Sequence, residues 1–238
     1  ILIIKAMDYH HSHVVNLLST IALMKMLFIV SKETRKDKSI MKEERRNVLI
    51  YGAVIGDFFG SSWEFSNYVD EKPESFDSIT FEDGNYTDDT VMTVAVADSL
   101  LRRCDVSLMM RSYARTYRCP RGGYGARFYN WLFNPYAGPY GSCGNGAGMR
   151  VSSVAYFAKS EEECILLAKQ VTEVTHNHPE GLKAAEVLSL CIYRALHGAT
   201  KEQLKEYISS QYEISFDLEE LHRNYKHNET CQKSVPEA

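Results

Sequence analysis

The stretch VLIYGAVIGDFFGSSWEF, residues 48–65, decides the fold class. It reads as an apolar helix, because no strand alternation of useful length occurs in it. Glycines stand at 52, 56 and 60. A four-residue interval places all three on one face of a helix. Each glycine weakens a helix by about 1 kcal/mol relative to alanine, so three in one helix need a compensating role. Small residues let a second backbone come close, and tight helix packing is the plain explanation. The functional one is that the same close approach brings Asp57 and Glu64 to a cleft. A dinucleotide-binding loop is excluded, since the spacing is not GxGxxG and no strand precedes it.

Working outward, the remaining pattern is helical as well. Thr87 to Arg102 predicts a helix with Thr87 as its N-cap, and Ser107 to Tyr117 predicts another after Asp105. A helix is expected over 148–158. Ser160 followed by Glu161, Glu162 and Glu163 predicts a capping-box start for a helix over 161–174. Pro179 to Leu196 reads as a long helix stopped by Gly198. Thr200 with Gln203 opens the next, which ends near Tyr212, and Leu218 to Tyr225 adds a short one. The glycine-rich stretches Arg121 to Tyr124 and Gly138 to Gly148 read as loops. No βαβ unit, internal repeat or low-complexity segment is found, so the expectation is a compact all-α bundle.

The chain has 238 residues, 45% hydrophobic and 24% charged, which suits one sizeable globular helical domain. A net charge of −4 gives no broad basic face for nucleic acid. The six cysteines form no CxxC pair, which favours reduced thiols and a cytoplasmic location over a disulfide framework or a zinc site. The apolar run Leu17 to Val30 carries Lys25 and is too short to span a bilayer comfortably, and no small-residue cleavage site follows it. Met41 opens a fresh segment, so the domain is expected over 41–238, with residues 1–40 an extension outside it. Residues 234–238, SVPEA, read as the opening of a further helix, with Ser234 as N-cap and Pro236 and Glu237 in its first turn. The domain is therefore expected to be incomplete at its C-terminus.

Three further clusters could carry chemistry. Thr87-Asp88-Asp89-Thr90 is an ordinary helix start, favoured by the dipole, and also a compact set of hard oxygen ligands suited to Mg²⁺, Mn²⁺ or Ca²⁺. The loop Gly141 to Arg150, GSCGNGAGMR, is either a flexible connector or a phosphate cradle of backbone N–H groups at a helix entrance. Thr175-His176-Asn177-His178-Pro179-Glu180 carries two histidines that read as capping or loop groups, because zinc would need further ligands.

Taken together, GAVIGDFFGSSWE, TDDT, GNGAGMRVS and THNHPEG, in that order, resemble the ADP-ribosylglycohydrolase family, from about Asn47 to Ala238. The resemblance implies an all-α fold with two Mg²⁺ ions in a central cleft. It implies Thr87, Asp88 and Asp89 as metal ligands and Glu64 as a catalytic glutamate over the cleft. It implies that Gly141, Ser142, Gly144, Asn145 and Gly146 hold the diphosphate and nearby sugar, and that His176 contacts ADP-ribose. Asp57 is expected to organise the site rather than react. The implied activity is Mg²⁺-dependent removal of ADP-ribose from a modified protein or another ADP-ribosylated substrate, with no membrane partner. ADP-ribosylated nucleic acid stays open as a substrate. A non-catalytic ADP-ribose-binding module of the same fold is the competing reading.

Two departures from the family pattern matter. The second acidic motif, of the form GDSDT, is not found in these 238 residues, so weak cation binding and little or no turnover are expected of this chain. Cys143 stands where many relatives carry an aromatic residue able to stack on adenine. Lower nucleotide affinity is expected, unless Tyr140 supplies the ring.

Overall fold

The computed structural model describes residues 43–61, 84–119, 123–224, 226 and 228–238. These form α1 (Glu43–Gly60), α2 (Asp88–Arg102), α3 (Val106–Thr116), α4 (Ala126–Phe133), α5 (Gly146–Met149), α6 (Val154–Phe157), α7 (Glu161–Thr172), α8 (Pro179–Leu196), α9 (Lys201–Gln211), α10 (Leu218–Asn224) and α11 (Cys231–Glu237). Among the described residues the only β pairing is an isolated antiparallel bridge between Gly144 and Thr230. The fold is all-α, as the sequence predicts. No described helix is long and apolar enough to cross a membrane. Leu17 to Val30 lies outside the described residues.

Helix α2 is the centre of the core, buried continuously from Thr90 to Ser99. It starts where Thr87 turns extended (φ −117°, ψ −167°) and accepts the Asp89 N–H, and it ends with Arg103 in the left-handed region (φ 53°). Asp98 is the one acid buried within it. Its carboxylate accepts from Arg102 Nε at 2.7 Å and from the Tyr113 hydroxyl at 3.1 Å, which offsets the cost of burying a charge. Helix α3 packs along α2, and α7 and α8 form a second tightly packed pair. Trp131 of α4 meets the Arg111 guanidinium, 4.4 Å from its ring centre, and stacks with the ring of Phe128.

Several predicted boundaries recur in the structure. Gly198 ends α8 with φ 92°, where a side chain would be strained, and Thr200 and Gln203 form the reciprocal capping box of α9. Ser160 caps α7 by accepting the Glu163 N–H, but the reciprocal half differs. The Glu163 carboxylate takes the Lys159 N–H instead. The helix expected over 148–158 is broken into α5 and α6, because the chain turns at Arg150 to send that side chain into the core. The helix expected with Ser234 as its N-cap has Thr230 in that place, four residues earlier. The bridge at Thr230 holds that residue extended, so α11 begins at Cys231 with Ser234 and Pro236 inside it.

The glycine face of α1 behaves differently from expectation. A Cβ added at Gly52, Gly56 or Gly60 would meet nothing within 4 Å, so no described residue uses the close approach they allow. The part of the predicted helix beyond Ser61 lies outside the described residues. Close approach to another segment's backbone occurs at two other glycines. A Cβ at Gly84 would stand 2.6 Å from both the ring and the carbonyl oxygen of Phe58. One at Gly181, in the first turn of α8, would stand 3.0 Å from the Ser142 carbonyl oxygen and 3.1 Å from that of His176.

Gly181→Ala separates propensity from packing. Propensity alone favours alanine by about 1 kcal/mol in a helix. The contacts with two carbonyl oxygens predict the opposite sign, a net loss of stability in urea-induced unfolding. A stabilised variant would mean that the 138–146 loop yields easily to α8.

Candidate functional site

The first cluster forms where α1 meets the start of α2. Asp57, on α1, reaches across to the α2 entrance. Its Oδ2 accepts the backbone N–H of Thr87 at 2.9 Å, the N–H of Thr90 at 3.1 Å and the Thr90 hydroxyl at 2.5 Å. Its Oδ1 accepts the Thr87 hydroxyl at 2.7 Å. The Thr87 oxygen in turn accepts the Asp89 N–H at 3.2 Å. Upstream, Ser61 donates to the Phe58 carbonyl and accepts the Asn85 N–H, which ties the segment before α2 to the end of α1. Thr87 and Thr90 are buried, Asp88 is half-buried and Asp89 is exposed. The result is a hydroxyl and two carboxylates at the positive end of a long buried helix.

Cys119 and Tyr124, which sequence reasoning did not single out, sit beside this cluster. Burial first, and then the carboxylates of Asp88, Asp57 and Asp89, push the Cys119 thiol up to about 12. Cys119 is therefore a protonated thiol at neutral pH and a poor nucleophile. All six cysteines are free.

The second cluster is the loop leading into α5. Gly141 takes φ 65°, and its N–H donates to the Asn177 side chain at 2.7 Å. The Ser142 N–H donates to the Thr175 carbonyl, the Gly144 N–H to Ser142 Oγ and the Asn145 N–H to the Glu229 carbonyl. Much of the expected amide cradle is thus committed to protein acceptors in this conformation. Across the bridge, the Cys231 N–H donates to the Cys143 carbonyl and the Cys231 thiol to the Gly144 carbonyl.

His176 lies beneath this loop, 4% exposed, with the rings of Tyr140 and Phe128 at 6.2 and 6.3 Å. A Cβ on Gly146 would stand 3.3 Å from His176 Nε2, and one on Gly144 would stand 3.6 Å from it. His178, by contrast, caps α8 through Nδ1, which accepts the Glu180 N–H. Arg150 is fully buried, 5.7 Å from the Phe128 ring centre, and its Nη2 donates to Thr175 Oγ1 at 2.7 Å. Burial first, then Arg150 and Arg127, pull the His176 imidazole down to about 3. Arg150 and Thr175 both fall inside the quoted motifs. The only sign of a role was an arginine set among small and apolar residues.

The two clusters share α2. Thr93, one turn beyond Thr90, donates to the carbonyl of Met149 at 3.1 Å, which docks α5 against α2. Thr87, Asp88, Asp89 and Asp57 are brought together, as are Gly144, Gly146 and His176. Glu64 lies outside the described residues. Among the described residues no three His, Cys, Asp or Glu side chains converge into a cage for a metal ion. The Thr87 cluster supplies hard oxygen donors of the kind that suit a hard cation.

Comparison with known proteins bears on this arrangement. A family model described as ADP-ribosylglycohydrolase matches residues 41–237. The chain is 29% identical over 204 residues to ADP-ribosylhydrolase ARH3 of Gallus gallus, covering 71% of this chain and 56% of that protein. It is 27% identical over 201 residues to the proteins of the same name from Mus musculus and Homo sapiens, covering 71% of this chain and 54% and 55% of theirs. The chain spans about half the length of the curated relatives it matches.

The buried histidine gives a pH dependence of stability. With its folded pKa near 3 and an ordinary value of 6.5, His176 is neutral in both states above pH 6.5. Below that pH the unfolded chain takes up a proton that the folded chain refuses. Stability therefore falls as pH drops from 6.5 towards 3, by up to about 1.4 kcal/mol per pH unit from this one group. Urea unfolding at pH 7, 6, 5 and 4 should show a shallower decline for His176→Gln than for the wild type. Equal slopes would place the acid sensitivity elsewhere.

Proposed function

The chain belongs to the ADP-ribosylglycohydrolase family, and on that premise we propose that it is a hydrolase-type domain that grips ADP-ribosyl groups with the help of a divalent cation. The observation that carries this reading is the hold of Asp57 on Thr87 and Thr90. It fixes a hydroxyl and two carboxylates at one helix end, and α2 links that end to the glycine loop through Thr93 and Met149.

In this reading Thr87, Asp88 and Asp89 hold Mg²⁺, or Mn²⁺ in its place, as one part of a two-ion site, and Asp57 orients them without reacting. A bound cation supplies a template for the hydroxyls of the ribose beside the scissile bond. Gly141, Ser142, Gly144, Asn145 and Gly146 line the diphosphate and nearby sugar, and His176 meets the ligand from below. Departure of the leaving group builds oxocarbenium character on the ribose. Glu64 is assigned to that step, positioning substrate or water or moving a proton. The substrate class is an ADP-ribosylated protein or an ADP-ribose-containing small molecule, met in the cytoplasm.

The competing reading, an ADP-ribose-binding module that does not cleave, draws support from the ligand count. Only Thr87, Asp88 and Asp89 match the family's metal motifs within this sequence. Slow turnover by this chain alone follows from the same count, because paired carboxylates lacking a full complement of cations repel each other.

Thermal-shift titration tests the cation-dependent grip on ADP-ribose, and release of ADP-ribose tests cleavage. ADP-ribose with Mg²⁺ should raise the melting temperature by several degrees, AMP should not, and EDTA or Asp89→Asn should remove most of the gain. An ADP-ribose response indifferent to cation, or no response, would contradict the proposal. Release of free ADP-ribose from a modified protein should be slow, and rapid release would overturn the expectation of weak turnover.

A further inference from the structure

We propose that Arg150 and Thr175 are positioning residues that hold His176 neutral with its proton on Nε2, so that it donates from beneath the Gly144–Gly146 loop to an anionic oxygen of the ligand. The inference deepens the proposed function and rests on its reading of the loop as the diphosphate site.

The hydrogen-bond chemistry leaves one arrangement. Arginine can only donate. Its Nη2 lies 2.7 Å from Thr175 Oγ1 and 3.4 Å from His176 Nδ1. Thr175 Oγ1 lies 2.7 Å from the same Nδ1. The threonine oxygen accepts from Arg150, and its single proton is then directed at His176 Nδ1. That nitrogen receives from both neighbours and must be unprotonated. A neutral imidazole in this state carries its hydrogen on Nε2. The opposite tautomer would set an Nδ1–H against the guanidinium N–H and strand the threonine proton. The imidazolium would add a second cation beside a buried one.

What Nε2 faces, and what lies behind it, point to an anion. Nε2 looks onto Gly144 and Gly146, where a Cβ would stand 3.6 and 3.3 Å away, so no side chain of either residue crowds the donor. Arg150 is fully buried, and none of the groups that shift its pKa is a carboxylate. Burial pulls its guanidinium down to about 10, against Tyr140 and Cys231. Its remaining partners are the Val171 and Thr172 carbonyls at the end of α7, and its buried Nε and Nη1 have no protein partner among the described residues. A buried cation without a counter-carboxylate leaves positive potential under the loop. A diphosphate above it supplies the missing charge.

Selective ¹⁵N labelling of histidine rings in the whole chain tests the tautomer without ligand. The signal is assigned by its loss in His176→Gln. The expected spectrum at pH 7 and pH 5 shows Nε2 protonated and Nδ1 bare. An Nδ1–H tautomer, or an imidazolium at pH 5, would overturn the inference, and this readout needs no Thr175 variant. Thr175→Val keeps the shape and removes the hydroxyl. It should yield mixed tautomers and bind ADP-ribose about tenfold more weakly, with Thr175→Ser restoring both. Unchanged ADP-ribose affinity in Thr175→Val would overturn the positioning role. A wild-type chain with the expected tautomer that fails to bind ADP-ribose would instead sink the functional reading, and with it the ligand half of this inference.

Discussion

The carboxylate of Asp57 is the constraint on which the arrangement depends. It draws the start of α2 against α1 by accepting two backbone N–H groups and two hydroxyls from Thr87 and Thr90. Hydrogen bonds to an ionised acceptor contribute roughly twice what neutral ones do, and each of these donors would otherwise be an orphan at a buried helix end. Because Asp57 and the Thr87 oxygen together cap the turn, Asp88 and Asp89 emerge side by side at the positive end of the helix. The same helix carries the constraint inward, since α2 is buried from Thr90 to Ser99 and docks α5 through Thr93. A single acid on α1 thereby sets the relation between an oxygen-rich corner and a glycine-rich loop.

The loop is held by a different logic. Its amides are largely occupied by protein acceptors, its far side is bridged to Thr230, and its floor is a neutral histidine over a buried arginine. Such a floor is preorganised. In the proposed reading, a ligand oxygen meets donors already oriented and desolvated, which reduces the reorganisation that binding requires. Gly181 allows the close approach, and a Cβ there would press on the carbonyls of Ser142 and His176.

Most of the helix set was legible in the sequence because it rests on local chemistry. The Thr87 cap, the Thr200–Gln203 capping box and the stop at Gly198 each involve residues within one turn of one another. What could not be read rests on contacts between distant segments. The break at Arg150 follows from partners on Thr175 and His176, about 25 residues away in sequence. The early start of α11 follows from the Gly144–Thr230 bridge. The glycine face of α1 was correctly read as helical, but its expected close neighbour is not among the described residues. At the candidate site, the ordered motifs pointed to Thr87, Asp88, Asp89 and His176. They said nothing of Cys119, Tyr124 or the task of Arg150, because side chains that act through a neighbour carry no spacing signal.

Manganese titration followed by electron paramagnetic resonance, on the wild type and on Asp57→Asn, tests the central claim most directly. The asparagine keeps the size of the side chain but turns an N–H₂ towards the donors of Thr87 and Thr90. The account predicts measurable Mn²⁺ binding by the wild type and a loss of roughly tenfold or more in the variant, from the weakened hold on the turn. Equal Mn²⁺ affinity in a folded Asp57→Asn chain would contradict it.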